Sequence, residues 1–432
     1  MTSAPGTAQP ETDAETDVRE IDVAEAGVLA ESFGDYLRAW LKRVRGGESG
    51  ILPVLVGLVV IIIIFQIEKS VFLSAGNLVL LLQQGASLVL FGMAEVFVLL
   101  LGEIDLSAGF VGVIGGFFAV WLSSQKGWPW GPSILVGLLV PAAIGAAMGV
   151  FVVRLRLPSF VVTLAGLLGF QGVLLWLVNT LGGKSSGGVI SIDNPVIGGL
   201  VGSNMPVLAG WLVMAVVVAA FAGLLVFGDR SRRRAGLATP PFGLTIAKIA
   251  AVAVGGIILV VVCNANRGLL TPLRGVPWVV PVVIAIVIAW TVLLTRTRFG
   301  RYVYAIGGNA EAARRAGINL GRMRIACFAL CSMTAGAAGI VYASNLGSIS
   351  SNVNGGQLVL YAVAAAVIGG TSLFGGHGKM VHALLGGLVI ATINNGMGLV
   401  GLSAPTQYIV TALVLLAAVT VDSLARRGQV AA

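Results

Sequence analysis

Apolar residues fill this chain in runs that no soluble helix or strand requires. Twelve stand out, at about 51–67, 77–101, 108–122, 133–152, 159–179, 206–228, 243–263, 277–295, 323–345, 358–372, 381–401 and 405–421. Runs of about twenty residues suit helices that cross a bilayer, whereas barrel strands are about half as long and alternate. In lipid every backbone polar group must pair internally, which leaves continuous helices. The pattern predicts an all-α polytopic membrane protein with about 10–12 transmembrane helices. Two runs are short, and 77–101 is interrupted by Gln83–Ser87.

The polar ends differ from the rest. Residues 1–30 are acidic and rich in Ala, Thr and Glu, which predicts a disordered cytoplasmic tail. With no basic start and no apolar centre, it does not read as a signal peptide. Within residues 31–50, Ser32 and Asp35 fit a capping box. Phe33, Tyr36, Leu37, Trp40, Leu41 and Val44 form one stripe flanked by Arg38, Lys42, Arg43 and Arg45. An amphipathic helix on the inner membrane surface fits this stretch, as does a solvated extension of the first span. Residues 51–425 form the transmembrane domain.

Composition strengthens this picture. Charged residues make up 10% of the chain and mean hydropathy is +0.97, against about 25% charged in soluble proteins. The basic residues sort by side. With the N-terminus inside, 22 of the 27 fall in inner loops or at inner helix ends, and only Lys69, Lys126, Lys184, Arg267 and Arg274 fall outside. The positive-inside rule then places both termini in the cytoplasm of a multi-pass plasma-membrane protein. The net charge of +9 is accounted for by these loops, so nucleic acid is not expected as a partner. Cys263, Cys327 and Cys331 read as small core residues, and His377 and His382 are spaced wrongly for one helix face, so no metal site is expected. Most of the 60 glycines fit close helix packing. A faint echo links GEIDLSAG (102–109) to GGTSLFGG (369–376) and hints at duplicated halves.

One inner segment is too polar for its surroundings: VYAIGGNAEAARRAGINLGR, residues 303–322. Gly307-Gly308-Asn309 reads as a turn, Asn309 as a helix cap, and Gly317 as the stop of a short exposed helix. Glu311 near its start and Arg314 and Arg315 near its end suit the helix dipole. Such a helix can lie in a partner's groove; an ordinary charged loop also fits. The chain has no motor of its own. GGKSS (182–186) ends like a phosphate-binding loop, but Val178 stands where that loop needs glycine, and no strands are expected. Energy must come from another chain or from an ion gradient.

TRTRFGRYVYAIGGNAEAARRAGINLGRMR (295–324) closely resembles the cytoplasmic coupling segment of permeases in ribose/xylose-type ABC sugar importers. LLGEIDLSAGFVGVIGG (100–116), LPSFVVTLAGLLGFQG (157–172), VIGGTSLFGG (367–376) and NNGMGLVG (394–401) match further blocks of that family. The resemblance spans roughly residues 70–422. It implies a type II-like ABC importer permease that works as a homodimer and makes or breaks no covalent bond. ATP and magnesium would sit on a separate cytoplasmic ATPase subunit, with no cofactor in this chain, and an extracellular or periplasmic sugar-binding protein would deliver the ligand. The added runs 206–228 and 243–263, followed by RGVP (274–277), resemble the xylose-type branch and imply a pentose such as D-xylose. Ribose, another aldose, a nucleoside or a signalling furanone remain alternatives. Coupling carries over to Tyr304, Gly307, Gly308, Asn309, Glu311, Ala312, Ala313, Arg314, Gly317 and Ile318.

Several polar residues interrupt the apolar runs. Glu95 lies in FGMAEVFVLLL, where a charge costs about 2.5–3.5 kcal/mol at the bilayer centre. It fits either a sugar-path residue or a group that locks helix packing. Glu103, Asp105 and Ser107 form a motif at an inner helix end; Asp105 and Ser107 suit helix capping or sugar contact. Gln84, Gln171, Asn179, Asn394 and Asn395, with Gln83, are path candidates or interhelical bonding groups. Segment 180–205 reads as a surface loop or a landing site for the binding protein. A proton-coupled transporter using Glu95, Glu103 and Asp105 is the rival function, but it leaves 303–322 without a role. An intramembrane enzyme lacks a nucleophile–base constellation.

Overall fold

The computed structural model describes residues 52–182, 188–237, 239, 241–268 and 271–430. The expected tail at 1–30 and surface helix at 31–50 lie outside these residues. All twelve apolar runs are helices. In chain order the elements are α1 (Leu52–Glu68), α2 (Ala75–Leu99), α3 (Ala108–Val120, continued by a π-helical turn Trp121–Gln125), α4 (Trp130–Leu155), α5 (Ser159–Leu181), β1 (Val189–Ser191), α6 (Pro195–Gly202), α7 (Val207–Arg234), α8 (Phe242–Asn264), α9 (Val279–Arg296), α10 (Arg298–Gly308), α11 (Ala310–Arg315), α12 (Leu320–Leu346), β2 (Ser348–Ser350), α13 (Gly355–Ile368), α14 (Met380–Val400) and α15 (Ala404–Val430). Among the described residues nine helices are long and apolar enough to cross a membrane, and α1 and α13 are shorter apolar helices. The protein is an all-α, multi-pass membrane protein.

Two compact units are distinguished. Residues 211–261 belong to one, in which Thr245 donates to the Asp229 carboxylate at 2.7 Å. The other holds residues 50–210 and 262–432. Its centre is formed by α2, α3 and α12, whose inner faces are closed to solvent. Glycines set how closely these helices approach. A methyl at Gly115 would strike the Gly137 carbonyl of α4, and one at Gly339 the Gly112 carbonyl of α3. Without water to drive association, such close van der Waals packing holds spans together. Around this centre, α5 exposes Phe160, Leu164, Leu168 and Trp176, a surface suited to lipid contact and too apolar for water.

Three expectations change. The run 77–101 is one unbroken helix through Gln83–Ser87, because Gln83 sends its amide to the Val201 carbonyl at 2.7 Å and does not compete for its own backbone. Strands, expected to be absent, occur as a short antiparallel ribbon pairing Val189 with Ser350 and Ser191 with Ser348. Segment 180–205 is therefore more than a loop: it carries β1 and also α6, capped by Asn194.

The ribbon joins the end of α5 to the end of α12. At the opposite end Gly376 N–H donates to the Leu100 carbonyl at 2.9 Å, joining the segments after α2 and α13. These pairings match spans that alternate in direction. The echo between 102–109 and 369–376 becomes a shared helix-ending turn, shifted by one residue. Gly102 N–H bonds Leu99 O and Glu103 N–H bonds Val98 O; Gly370 N–H bonds Val367 O and Thr371 N–H bonds Ala366 O. Both glycines have positive φ, +73° and +95°, as this Schellman turn requires. The same turn closes α11 and α14.

Candidate functional site

The arginine-rich end is built by α10, α11 and the turns after α2 and α13. Thr297 caps α10, accepting the Gly300 N–H at 3.3 Å. Val303 and Ile306 face inward, and Arg301, Tyr302 and Ala305 face out. Gly307 is not in a turn, as expected from its sequence; with Gly308 it completes the last turn of α10. It lies flush against the Leu100 carbonyl and the Gly376 amide, where no Cβ fits. Tyr304, half-buried, donates its hydroxyl to the Gly378 carbonyl at 2.7 Å. Burial pushes the phenol up, which keeps it a donor. Three sequence blocks, 100–116, 303–322 and 367–376, thus meet at one junction.

Asn309 breaks the helix with extended backbone and starts α11, accepting the Ala312 N–H at 2.9 Å. Glu311 forms ion pairs with Arg314 at 2.9 Å and Arg315 at 3.3 Å. The helix ends at Gly317 (φ +83°), where Gly317 N–H bonds Arg314 O and Ile318 N–H bonds Ala313 O. Ala313 points into the main core, and Ile318 packs against it. Glu311, Ala312, Arg314 and Arg315 remain exposed. The result is a short rigid helix with an anchored back and a free outer face.

Beside it, Glu103 pairs with Arg324 of α12 at 3.0 Å. Asp105 is fully buried; one oxygen accepts from the Ser107 amide at 2.9 Å and from its hydroxyl at 2.6 Å. Ser107 therefore bonds backwards and gives α3 no side-chain cap. Glu95 is fully buried too, near Asp105 and the Cys331 thiol of α12. Neither of its oxygens makes a regular hydrogen bond among the described residues. Cys327 and Cys331 are buried core residues, as read from their spacing.

The amides behave differently. Asn77 and Asn395 exchange side-chain hydrogen bonds at 2.9 and 3.0 Å, and Gln84 accepts from Asn395 at 3.5 Å. Gln357 donates to Tyr361 at 2.6 Å, which donates to Asn394 at 3.2 Å. Gln357, Tyr361, Tyr408 and Thr411, with Asn354, line a cavity of about 820 Å³ whose other walls are four leucines, Val359, Ala412 and Gly356. Glu95 does not line it. Gln171 and Asn179 are exposed on α5. Asn77, Gln357, Tyr361 and Tyr408 were missed in the sequence. Each is a lone amide or phenol in or beside an apolar run, the same signal that marked Asn394. A polar strip against leucine walls can hold a small polyhydroxylated solute through amide and phenol hydrogen bonds.

The family model for the permease component of branched-chain amino acid transport systems matches residues 77–419. The xylose transport system permease of Escherichia coli K12 is 36% identical over 394 residues, covering 88% of this chain and 95% of the relative. The ribose import permease of the same strain is 30% identical, covering 90% and 96%. The fructose import permease of Rhizobium meliloti is 27% identical, covering 96% and 94%. No solved structure matches the chain.

Proposed function

The chain belongs to this permease-component family, and from that premise we propose that it is the membrane subunit of an ABC importer carrying a pentose, D-xylose, into the cytoplasm. ATP and magnesium act on a separate ABC ATPase subunit, and a periplasmic or extracellular sugar-binding protein presents the ligand. Two copies of this chain form the conducting unit. Its arginine-rich end faces the cytoplasm, as do both termini, in keeping with the positive-inside rule.

One observation carries the choice of sugar: 36% identity to a xylose permease along 95% of that relative. Ribose is the second reading, supported by the 30% identity to a ribose permease. For coupling, the support is the anchored back and free outer face of α11. Closure of the ATPase subunits moves this helix as a rigid body through Ala313 and the Gly307 junction. The solute passes the cavity lined by Gln357, Tyr361 and Tyr408. Gln84, Asn394 and Asn395 tune that path by orienting the network, and Glu103, Asp105 and Ser107 shape its inner end.

The test is uptake by proteoliposomes holding this chain, its ATPase subunit and its binding protein. ATP-dependent accumulation of labelled xylose, competed by unlabelled xylose over ribose, is the expected result. Preferential ribose uptake would replace the sugar and keep the machine. Accumulation driven by a proton gradient without ATP would overturn the reading.

A further inference from the structure

A second cavity, of about 370 Å³, opens at the arginine-rich end between α4, α5 and α12. Its polar lining is Glu103, Arg156, Ser159 and Arg324. Arg324 is matched by Glu103 at 3.0 Å. Arg156 has neither an ion pair nor a hydrogen bond to any described residue. The pocket therefore carries one uncompensated positive charge.

The backbone beneath that charge is unusual. Arg156 has φ +54° and is the single non-glycine residue with positive φ among those described. Left-handed backbone is ordinarily left to Gly or Asn because Cβ crowds the carbonyl, and where a bulky residue holds it the strain tends to serve a site. Arginine here ends α4 and carries its guanidinium to the cavity that the first turn of α5 also borders. Helix N-termini add a favourable field for negative charge.

The rim identifies the ligand. Leu157 lines the cavity and Leu155 and Phe160 flank its lining residues in sequence; they are 41%, 58% and 55% exposed. Leu155 ends α4, Phe160 is in the first turn of α5 and Leu157 lies in the link between them; all three present apolar surface beside the charge. A free anion would gain nothing from them; an amphiphile would gain contact along its chain. One negative charge on tetrahedral oxygens, attached to acyl chains, satisfies both halves. We propose that this cavity holds the phosphodiester of an anionic phospholipid, with Arg156 as its principal ligand and Arg324 and Ser159 beside it. Basic pockets between spans at the cytoplasmic face commonly take such headgroups.

The test uses the full chain in detergent, titrated with phosphatidylglycerol or phosphatidylcholine and read by native mass spectrometry and thermal unfolding. Phosphatidylglycerol should bind at least tenfold more tightly than phosphatidylcholine and raise the unfolding temperature. Arg156→Gly suits the backbone and should reduce that preference at least fivefold, with the lipid-free unfolding temperature unchanged; Arg156→Lys should retain part of it. Arg156→Asn, which also tolerates the conformation, serves if the glycine variant does not purify. Undiminished preference in the Gly or Asn variant would overturn the proposal. Equal protection by inorganic phosphate without lipid would overturn the lipid as occupant. Because lipid binding is read apart from uptake, either result is independent of the sugar assignment.

Discussion

Gly307 rests against the Leu100 carbonyl so closely that even one methyl group would overlap the oxygen. That contact, with the Tyr304 hydroxyl on Gly378 at 2.7 Å, ties α10 to the turns after α2 and α13. The segment α10–α11 is therefore locked to the transmembrane core and does not hang from it.

Gly307→Ala should loosen this lock. Forcing a methyl between two backbones costs about 1–3 kcal/mol. The variant should unfold at lower temperature and lose uptake at least fivefold, while ATP hydrolysis by the assembled complex persists. Gly308→Ala, which meets no neighbouring atom, is the control and should stay within about 0.5 kcal/mol of the parent. Thermal unfolding of both variants, with uptake and hydrolysis assays, makes the comparison.

Glu311→Lys removes two ion pairs on an exposed surface, which cost about 0–1 kcal/mol together at such positions. Membrane insertion and unfolding temperature should barely change. If α11 docks into the ATPase subunit, uptake per ATP hydrolysed should fall at least tenfold. A normal ratio in Glu311→Lys, and in Ala312→Trp, would count against docking.

Asn395→Ala strands the buried side chain of Asn77, which exchanges two hydrogen bonds with it. An unsatisfied buried group costs about 1–3 kcal/mol. The double variant Asn77→Ala with Asn395→Ala should recover part of that loss, because the pair is removed together while the Phe72 carbonyl and Gln84 still lose a donor. Denaturation in mild detergent across the four-member cycle would measure the coupling; additive losses would mean that the pair is not a unit.

Glu95→Gln keeps the volume packed near Asp105 and Cys331. Uptake within about twofold of the parent is expected, whereas Glu95→Ala should destabilise by a few kcal/mol through the cavity it leaves. Loss of uptake in Glu95→Gln without loss of stability would instead place this residue in the solute path.

All twelve apolar runs were readable because bilayer thickness sets a length that survives in sequence. The caps at Asn309 and Gly317 were equally plain, since each rests on the local chemistry of a few residues. What failed depended on distant partners. Gly307 and Gly308 look like a turn until both are seen to end α10, with Gly307 packed against Leu100 and Gly376. Gln83 looks like a break until Val201 accepts its amide. Asn77 had no visible role because its partner, Asn395, lies near the other end of the chain. Glu95 was noticed for its cost in lipid, but its neighbours came only from the way α2, the following turn and α12 meet.

The seam between α3 and α12 has a consequence for how the protein is made. Val120 ends α3, and the glycines that receive it arrive only after Leu320. Until then the newly made N-terminal spans have no permanent neighbour for their most close-fitting face. Biogenesis must shelter them in the insertion machinery, so a ribosome stalled before α12 would leave a product for quality-control proteases.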